Sequence, residues 1–260
     1  MTYIHSIILG IIEGITEFLP ISSTAHLILA SKALRLPESG FLSSFLISIQ
    51  LGAILSVAAL YARMILKEPK IILKIAAGFI PTAIIGFGAY GLIKQYLLDS
   101  IPLIAVTLLI GGIILIILER RFGKKTIADP EQALSAMSYK QAAIVGVFQS
   151  LAIVPGVSRS AATIMGGLSL GISRKNIVEF SFLLALPTML GATVLDLYQS
   201  PPALQGNDLW IWIIGLVTAF ITAILGIKFF LRYIQRNDFQ AFGWYRIGLG
   251  IILLSWIFLS

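Results

Sequence analysis

Long apolar runs restrict this chain to one class of fold. A helix needs about 20 apolar residues to cross a lipid bilayer, and runs of that order occupy residues 41–61, 75–93, 103–118, 177–197, 209–230 and 242–259. The runs lack the alternation of a half-buried strand. Because backbone polar groups in hydrocarbon must be satisfied within the segment, the runs predict helices. The sequence therefore predicts an all-α integral membrane protein with six spans.

The composition agrees with a protein whose solvent is the bilayer. Of 260 residues, 58% are hydrophobic and only 12% are charged. The net charge of +7 reflects Lys and Arg gathered between the apolar runs, and it suits an anionic substrate or lipid surface. We do not expect nucleic acid to be a partner. The chain has no cysteine, which excludes disulfides, thiol catalysis and thiolate metal ligands.

An acidic stretch interrupts the apolar N-terminal region. Glu13 and Glu17 are four residues apart, so on a helix they lie on one face. Pro20 ends that helix, because proline lacks an N–H and disfavours helical geometry in the residue before it. Ionisable groups at membrane depth are costly and are functional by default. We therefore expect both glutamates to belong to a functional site.

Hydroxyl groups follow directly after the proline. Ser22 or Ser23 suits the N-cap of a second helix, whose free N–H groups and positive dipole end would face the two acids. His26 lies three residues after Ser23, so its imidazole is expected to sit over the serine hydroxyls. Taken singly, each serine can be only a helix cap and His26 can simply bond a neighbouring carbonyl.

The second half of the chain repeats the first. Residues 10–13 align with 146–149, and residues 21–25 align with 157–161, both at an offset of 136 positions. Each half then has one short, broken segment, predicted as a re-entrant helical hairpin, followed by three spans. Three is an odd number, which makes the halves inverted relative to each other. We assign residues 1–134 and 135–260 to two inverted repeats, with the site at their interface.

The second break carries an arginine within the sequence Pro155-Gly-Val-Ser-Arg-Ser-Ala-Ala-Thr163. An arginine at a helix N-terminus beside hydroxyl groups is a strong phosphate site, because its fork makes bidentate bonds and the free N–H groups add more. The alternative is that Arg159 serves only to neutralise the charge of a glutamate. We expect a bound pyrophosphate to contact Arg159, Ser158, Ser160 and Thr163, together with Ser22 of the first break.

Two acids and a phosphate repel one another unless a cation lies between them. Magnesium and calcium prefer oxygen ligands, so we expect Glu13 and Glu17 to hold one such ion with phosphate oxygens. Ser23 beside His26 supplies a nucleophile and a base, or a water molecule positioned by the same pair attacks instead. The combination predicts phosphoryl hydrolysis of a substrate with a membrane-embedded tail.

At these two stretches the sequence resembles the undecaprenyl-pyrophosphate phosphatase family of the bacitracin-resistance type. The resemblance runs over the whole length and includes Ile49-Gln-Leu-Gly52 in the third segment. Two departures are visible, since Ala25 and Ala161 stand where the family pattern has glycine. The resemblance implies metal binding or acid–base work for Glu13 and Glu17, a nucleophilic Ser23 with His26 as its proton partner, and pyrophosphate binding by Ser158, Arg159 and Thr163.

The resemblance also implies an activity and a location. The activity is hydrolysis of undecaprenyl diphosphate to the monophosphate at the outer face of the bacterial plasma membrane, which recycles the lipid carrier of cell-wall synthesis and gives bacitracin resistance. Basic segments at residues 63–74, 120–140 and 232–236 are expected to be cytoplasmic loops, while residues 200–208 hold no Lys or Arg and are expected outside. Both termini are then outside. Lys32 and Arg35 also fall outside and oppose this orientation.

A different class of function competes with the phosphatase. Inverted repeats with broken helices are also transporter architecture, so a lipid-phosphate flippase or an anion transporter is the rival, alone or combined with hydrolysis. Transport needs Arg159 and helix ends, but it gives no reason for two carboxylates beside a Ser/His pair. The sequence leaves a homodimer open.

Overall fold

The computed structural model describes residues 1–96, 100–123, 134–199 and 206–259, and these residues form helices and turns without strands. The α-helices follow one another as α1 (Tyr3–Thr16), α2 (Ser23–Ala33), α3 (Gly40–Lys67), α4 (Lys70–Tyr96), α5 (Ile101–Phe122), α6 (Tyr139–Ser150), α7 (Arg159–Ser169), α8 (Arg174–Gln199), α9 (Asp208–Ile234) and α10 (Gln240–Leu259). Short 3-10 turns at Leu134–Ala136 and Leu151–Ile153 flank α6. Two short helices followed by three long ones thus occur twice.

Six of the described helices, α3, α4, α5, α8, α9 and α10, are long and apolar enough to cross a membrane. This confirms the six predicted spans. The predicted basic loop at residues 63–74 is wrong, because α3 continues to Lys67 and α4 begins at Lys70. Lys and Arg are good helix formers and are favourable near a helix C-terminus, so α3 does not stop at its last apolar residue. Only Glu68 and Pro69 separate the two helices.

Two of the other predicted loops fall partly on residues that the structure does not describe. Residues 124–133 lie within the predicted basic loop at 120–140, and residues 200–205 lie within the predicted outer loop at 200–208. At the described start of the loop at 120–140, Arg120 and Arg121 lie in the last turn of α5, which agrees with the positive charge expected there.

The first helix break lies where the proline requires it. Helix α1 ends at Thr16, and Glu17 is its C-cap, with its N–H still donating to the Glu13 carbonyl at 2.9 Å. A turn carries the chain through Pro20 to Ser22, and α2 begins at Ser23. The helix therefore ends before Pro20 is reached, because the turn needs the residues that precede the proline.

The largest apolar cluster surrounds the first break. Phe18 is fully buried in it and lies edge-on to Phe182 of α8, with ring centroids 5.1 Å apart. Smaller clusters join α1, α3 and α9, and join α2, α5 and α10. The break is therefore anchored to the long helices by packing as well as by its own turn.

Glycines allow the short helices to cross long helices of the other half closely. Helix α1 crosses α9 at Gly10, where a β carbon would lie 2.7 Å from the Gly215 carbonyl oxygen. Helix α6 crosses α4 at Gly146, where a β carbon would overlap the Gly78 carbonyl. Each half therefore holds the broken segment of the other half in place.

Replacing Gly156 with alanine should destabilise the protein more than the same change at Gly171. Both glycines have positive φ, 87° and 75°, so both variants carry the backbone cost of about 1–2 kcal/mol. Only at Gly156 would the added methyl also collide with Thr107, whose hydroxyl donates to the Pro155 carbonyl at 2.8 Å. Thermal unfolding in detergent measures the difference, and equal losses would show that the Thr107 contact does not require glycine.

Candidate active site

The two helix breaks meet at one cavity of about 170 Å³. Its walls come from both breaks and from α2, α3 and α8. The polar side chains among its lining residues are Glu17, Ser22, Ser23, Thr24, Gln50, Ser158 and Arg159. Arg159 therefore faces Glu17 and Ser23 of the first break at this cavity.

Two serines, 136 positions apart, share the same unusual backbone geometry at the two breaks. Ser22 has φ 72° and Ser158 has φ 63°, in the left-handed region that costs a non-glycine residue free energy. Each is the N-cap of the helix that follows, and each accepts a hydrogen bond from the backbone N–H of Ala25 or Ala161. The N-termini of α2 and α7 consequently border the same cavity, where their free N–H groups favour an anion.

Glu17 connects the hydroxyl of one break with the guanidinium of the other. The Ser23 hydroxyl donates to Glu17 Oε2 at 2.5 Å, and Arg159 Nη2 lies 3.2 Å from Glu17 Oε1. The side chains of Arg159 and Glu17 are only 10% and 5% exposed, so water screens this pair weakly. A hydroxyl bonded to a carboxylate can lose its proton to that carboxylate as it attacks.

Arg159 is held on its other side by α8. Its Nη1 donates to the Ser181 carbonyl at 2.8 Å, and its guanidinium lies 5.9 Å from the ring centroid of Phe18. The Nε atom is buried and has no hydrogen-bond partner among the described residues. The arginine is therefore oriented toward the cavity while part of its hydrogen-bonding capacity is unused.

Glu13 lies one helical turn before Glu17 and is fully buried. Neither of its carboxylate oxygens has a hydrogen-bond partner among the described residues, and it does not line the cavity. The Glu17 carboxyl is close enough to share a hydrogen bond with Glu13 when one of the two carries a proton, and Arg159 is the positive charge that acts on Glu13. A buried carboxylate without a partner is costly, so this position suits a cation shared with Glu17.

His26 does not lie over the serine hydroxyls, and that geometric expectation is wrong. Its Nδ1 lies 2.7 Å from the Ser22 carbonyl oxygen, and its Nε2 lies 2.7 Å from the Tyr245 hydroxyl of α10. The two rings are nearly parallel, with centroids 5.6 Å apart. The Ser22 carbonyl, one helical turn earlier, and the Tyr245 hydroxyl of α10 together hold the imidazole. His26 and Tyr245 line a second pocket, whose walls are mainly apolar, rather than the cavity of Ser23.

Ser160 and Thr163 were expected to contact pyrophosphate, but the structure buries both away from the cavity lining. Ser160 donates to the Phe18 carbonyl at 2.8 Å, which ties α7 to the first break. The Thr163 hydroxyl shares a 2.6 Å hydrogen bond with the Ser181 hydroxyl. Contacts with α8 and the first break satisfy these buried hydroxyls within the protein. Both support the residues that line the cavity.

Two residues near the breaks were missed by the sequence reasoning. Gln50 lines the cavity from α3, although the sequence singled it out only as part of a resemblance. Arg246 of α10 is fully buried and donates to carbonyls of both breaks. Its signal was present, because an arginine inside a predicted membrane span is a functional-site candidate.

Comparison with known proteins gives concordant matches over almost the whole chain. The family described as bacitracin resistance protein BacA matches residues 6–252. An undecaprenyl-diphosphatase of Aquifex aeolicus is 45% identical over 97% of this chain and 97% of its own. An undecaprenyl-diphosphatase of Wolinella succinogenes is 46% identical over 99% of both chains. One of Bdellovibrio bacteriovorus is 43% identical over 98% of this chain and 95% of its own.

Proposed function

This chain belongs to the family of the bacitracin resistance protein BacA, and on that premise we propose that it hydrolyses undecaprenyl diphosphate to undecaprenyl phosphate and inorganic phosphate. The observation that carries the proposal is Glu17, which accepts the Ser23 hydroxyl and pairs with Arg159 at the meeting point of two helix N-termini. Such a reaction would recycle the lipid carrier of cell-wall synthesis and give bacitracin resistance.

The proposed chemistry begins with attack on the terminal phosphorus. The Ser23 oxygen forms the new P–O bond as its proton passes to Glu17, and the anhydride bond breaks to release undecaprenyl phosphate. The leaving phosphate takes the proton from Glu17, so the carboxylate is free again. Water then attacks the phosphorus of the phosphoserine as its proton passes to Glu17, the bond from phosphorus to the Ser23 oxygen breaks, Glu17 returns the proton to that oxygen, and inorganic phosphate leaves. Arg159 and the two helix N-termini stabilise the charge that develops on the phosphoryl oxygens. The alternative first step is direct attack on the phosphorus by a water molecule that Ser23 and Glu17 hold.

His26 has a different part in this proposal from the one expected from its spacing. Because its imidazole bonds the Ser22 carbonyl and the Tyr245 hydroxyl, Glu17 takes the proton-accepting role beside Ser23. His26 instead supports the strained turn that presents Ser22 and Ser23. Ser22 and Ser158 cap their helices and line the cavity, so their remaining lone pairs and the nearby N–H groups face the substrate.

A divalent cation, magnesium or calcium, is part of the proposal. Among the described residues no group of three or more His, Asp or Glu side chains could hold a metal ion, so the protein would supply Glu17 and Glu13 and the substrate the rest. The unpartnered oxygens of Glu13 fit this assignment. A bound cation would neutralise charge on the diphosphate and polarise its phosphoryl oxygens.

Two inverted repeats, residues 1–134 and 135–260, are the proposed architecture. Corresponding contacts support it, since α1 packs on α9 as α6 packs on α4, while α5 packs on α10 and α3 on α8. The matching φ values of Ser22 and Ser158 support it further. Under this proposal the α1–α2 and α6–α7 pairs are re-entrant hairpins, because α1 and α2 have 14 and 11 residues and are too short to cross.

We place the protein in the bacterial plasma membrane with its cavity open to the outer face and both termini outside. Basic residues at the end of α3, the start of α4 and the end of α5 support a cytoplasmic side there. Gln50 lies 10 residues from the start of α3 and 17 from its basic end. The cavity is therefore nearer the opposite, outer side.

The inventory of the cavity favours hydrolysis over transport alone. A flippase or anion transporter would use the helix N-termini and Arg159 to hold a phosphate. It would have no need for a serine hydroxyl bonded to a carboxylate at 2.5 Å. We therefore do not propose transport as the function.

Phosphate release from undecaprenyl diphosphate by the purified protein in detergent tests the function. We expect release with magnesium or calcium and loss of release with a chelator, restored when excess metal is added back. Release that persists in chelator would remove the cation from the mechanism but keep the phosphatase. No release under any condition, from protein that still unfolds cooperatively, would overturn the proposed function.

A further inference from the structure

A single buried arginine joins the two helix breaks behind the cavity. Arg246 of α10 is fully buried. Its Nη1 donates to the carbonyls of Pro20 and Val157, each at 3.3 Å. Its Nη2 donates to the carbonyls of Thr107 and Gly156, each at 3.2 Å. No carboxylate is among its hydrogen-bond partners in the described part of the chain.

The accepting carbonyls belong to the turns that present the site. Pro20 lies two residues before Ser22, and Val157 lies directly before Ser158, the two strained N-caps. Ser23 and Arg159 are the first residues of the helices that follow. The guanidinium therefore sits where it can fix the distance and angle between the nucleophile and the arginine that face each other across the cavity.

We propose that Arg246 is the positioning residue of the active site, clamping both helix breaks so that Ser23 and Arg159 keep the geometry needed for phosphoryl transfer. The inference rests on the proposed phosphatase function and extends it to a residue that does not touch the substrate. A planar fork can bond carbonyls of two separate turns at once, whereas the point charge of a lysine cannot reproduce that bridge. The clamp also leaves a positive charge behind an anion-binding cavity.

Lysine at position 246 keeps the charge and removes the fork. We expect Arg246→Lys to lower kcat for undecaprenyl diphosphate by about tenfold or more, because small displacements of reacting groups cost large factors in rate. The KM should change by less than about threefold, because the lysine charge remains and Arg159 still binds the diphosphate. Arg120→Gln is the matched control, since Arg120 also links α5 to α10, through Gln240 at 3.1 Å, but contacts neither break.

A glycine substitution perturbs the clamp without removing it. A β carbon at Gly111 would overlap Arg246 Nη2 and lie 3.1 Å from its Cζ, whereas one at Gly248 would meet nothing within 4 Å. We expect Gly111→Ala to lower kcat, as Arg246→Lys does. Gly248→Ala should leave kcat unchanged. This pair keeps the proposal testable if the lysine variant does not fold. Wild-type kcat in either Gly111→Ala or folded Arg246→Lys would overturn it.

A distance measurement tests the clamp without relying on catalysis. The chain has no cysteine, so Lys32→Cys on α2 and Leu151→Cys before the second break can carry spin labels specifically. We expect a narrow distance distribution in the parent, a broader one with Arg246→Lys, and no broadening with Arg120→Gln. An unchanged distribution with Arg246→Lys would overturn the clamp even if the protein is a phosphatase. Broadening in a protein that releases no phosphate would keep the clamp and reject only the proposed function.

Discussion

Exchanging Glu17 for glutamine should lower kcat for phosphate release by at least about a hundredfold while the protein remains folded, because a general base contributes factors of this order. The carboxylate accepts the Ser23 hydroxyl at 2.5 Å and lies 3.2 Å from Arg159 Nη2. Glutamine keeps the size and a hydrogen-bond acceptor but cannot take the proton. Steady-state phosphate release in detergent measures the loss, with thermal unfolding as the check on folding.

Glu38→Gln is the matched control for this experiment. Glu38 undergoes the same chemical change, but its side chain is 92% exposed and pairs only loosely with Lys32 at 3.9 Å. An exposed pair of this kind contributes little to stability, so we expect wild-type rates. If Glu17→Gln also kept wild-type turnover, Glu17 would not be the base, and the proton of Ser23 would need another acceptor.

The membrane architecture could be predicted from the sequence because it depends on local properties. Apolar runs of sufficient length specify spanning helices wherever they occur, and all six are present. The breaks were equally local, since Pro20 and the Pro155-Gly156 pair cannot continue a helix and serine caps the next one. The offset of 136 positions between the two stretches then indicated that they belong together.

The pairing of side chains inside the site could not be predicted, because it depends on distant parts of the chain. His26 was expected beside Ser23 from spacing alone, but Tyr245, 219 positions away, bonds its imidazole. Thr163 was expected to face the substrate, but its hydroxyl shares a hydrogen bond with the Ser181 hydroxyl of α8. A helix has several faces near its N-terminus, and only the neighbouring helices decide which face lines the cavity.

Arg246 is a second residue whose contacts could not be predicted from the sequence. A charge inside a predicted span marks the residue as unusual, but the sequence does not say what the side chain contacts. Its hydrogen-bond partners lie in three separate segments, at Pro20, Thr107 and the Gly156–Val157 turn. The arginine becomes meaningful only when those carbonyls are seen to belong to both breaks.

Replacing Arg159 with methionine should lower kcat/KM by at least about a thousandfold, because it removes a fork that both binds the diphosphate and stabilises the transition state. The kcat/KM of Arg159→Lys should lie between those of Arg159→Met and the wild type, because lysine keeps the charge but loses the bidentate geometry. Arg236→Met is the control, because Arg236 is exposed in the turn between α9 and α10. Phosphate release at several substrate concentrations separates the losses in kcat and KM.

A double variant separates catalysis from simple charge neutralisation. Arg159→Met removes the positive charge beside Glu17, whose side chain is only 5% exposed. An uncompensated buried charge costs about 3–5 kcal/mol. We expect Arg159→Met to lower the thermal midpoint and Glu17→Gln/Arg159→Met to recover most of that loss while phosphate release stays abolished. If Arg159 served only to neutralise Glu17, the double variant would release phosphate at the residual rate of Glu17→Gln alone. A rate below that of Glu17→Gln, with stability recovered, would assign Arg159 to the phosphate.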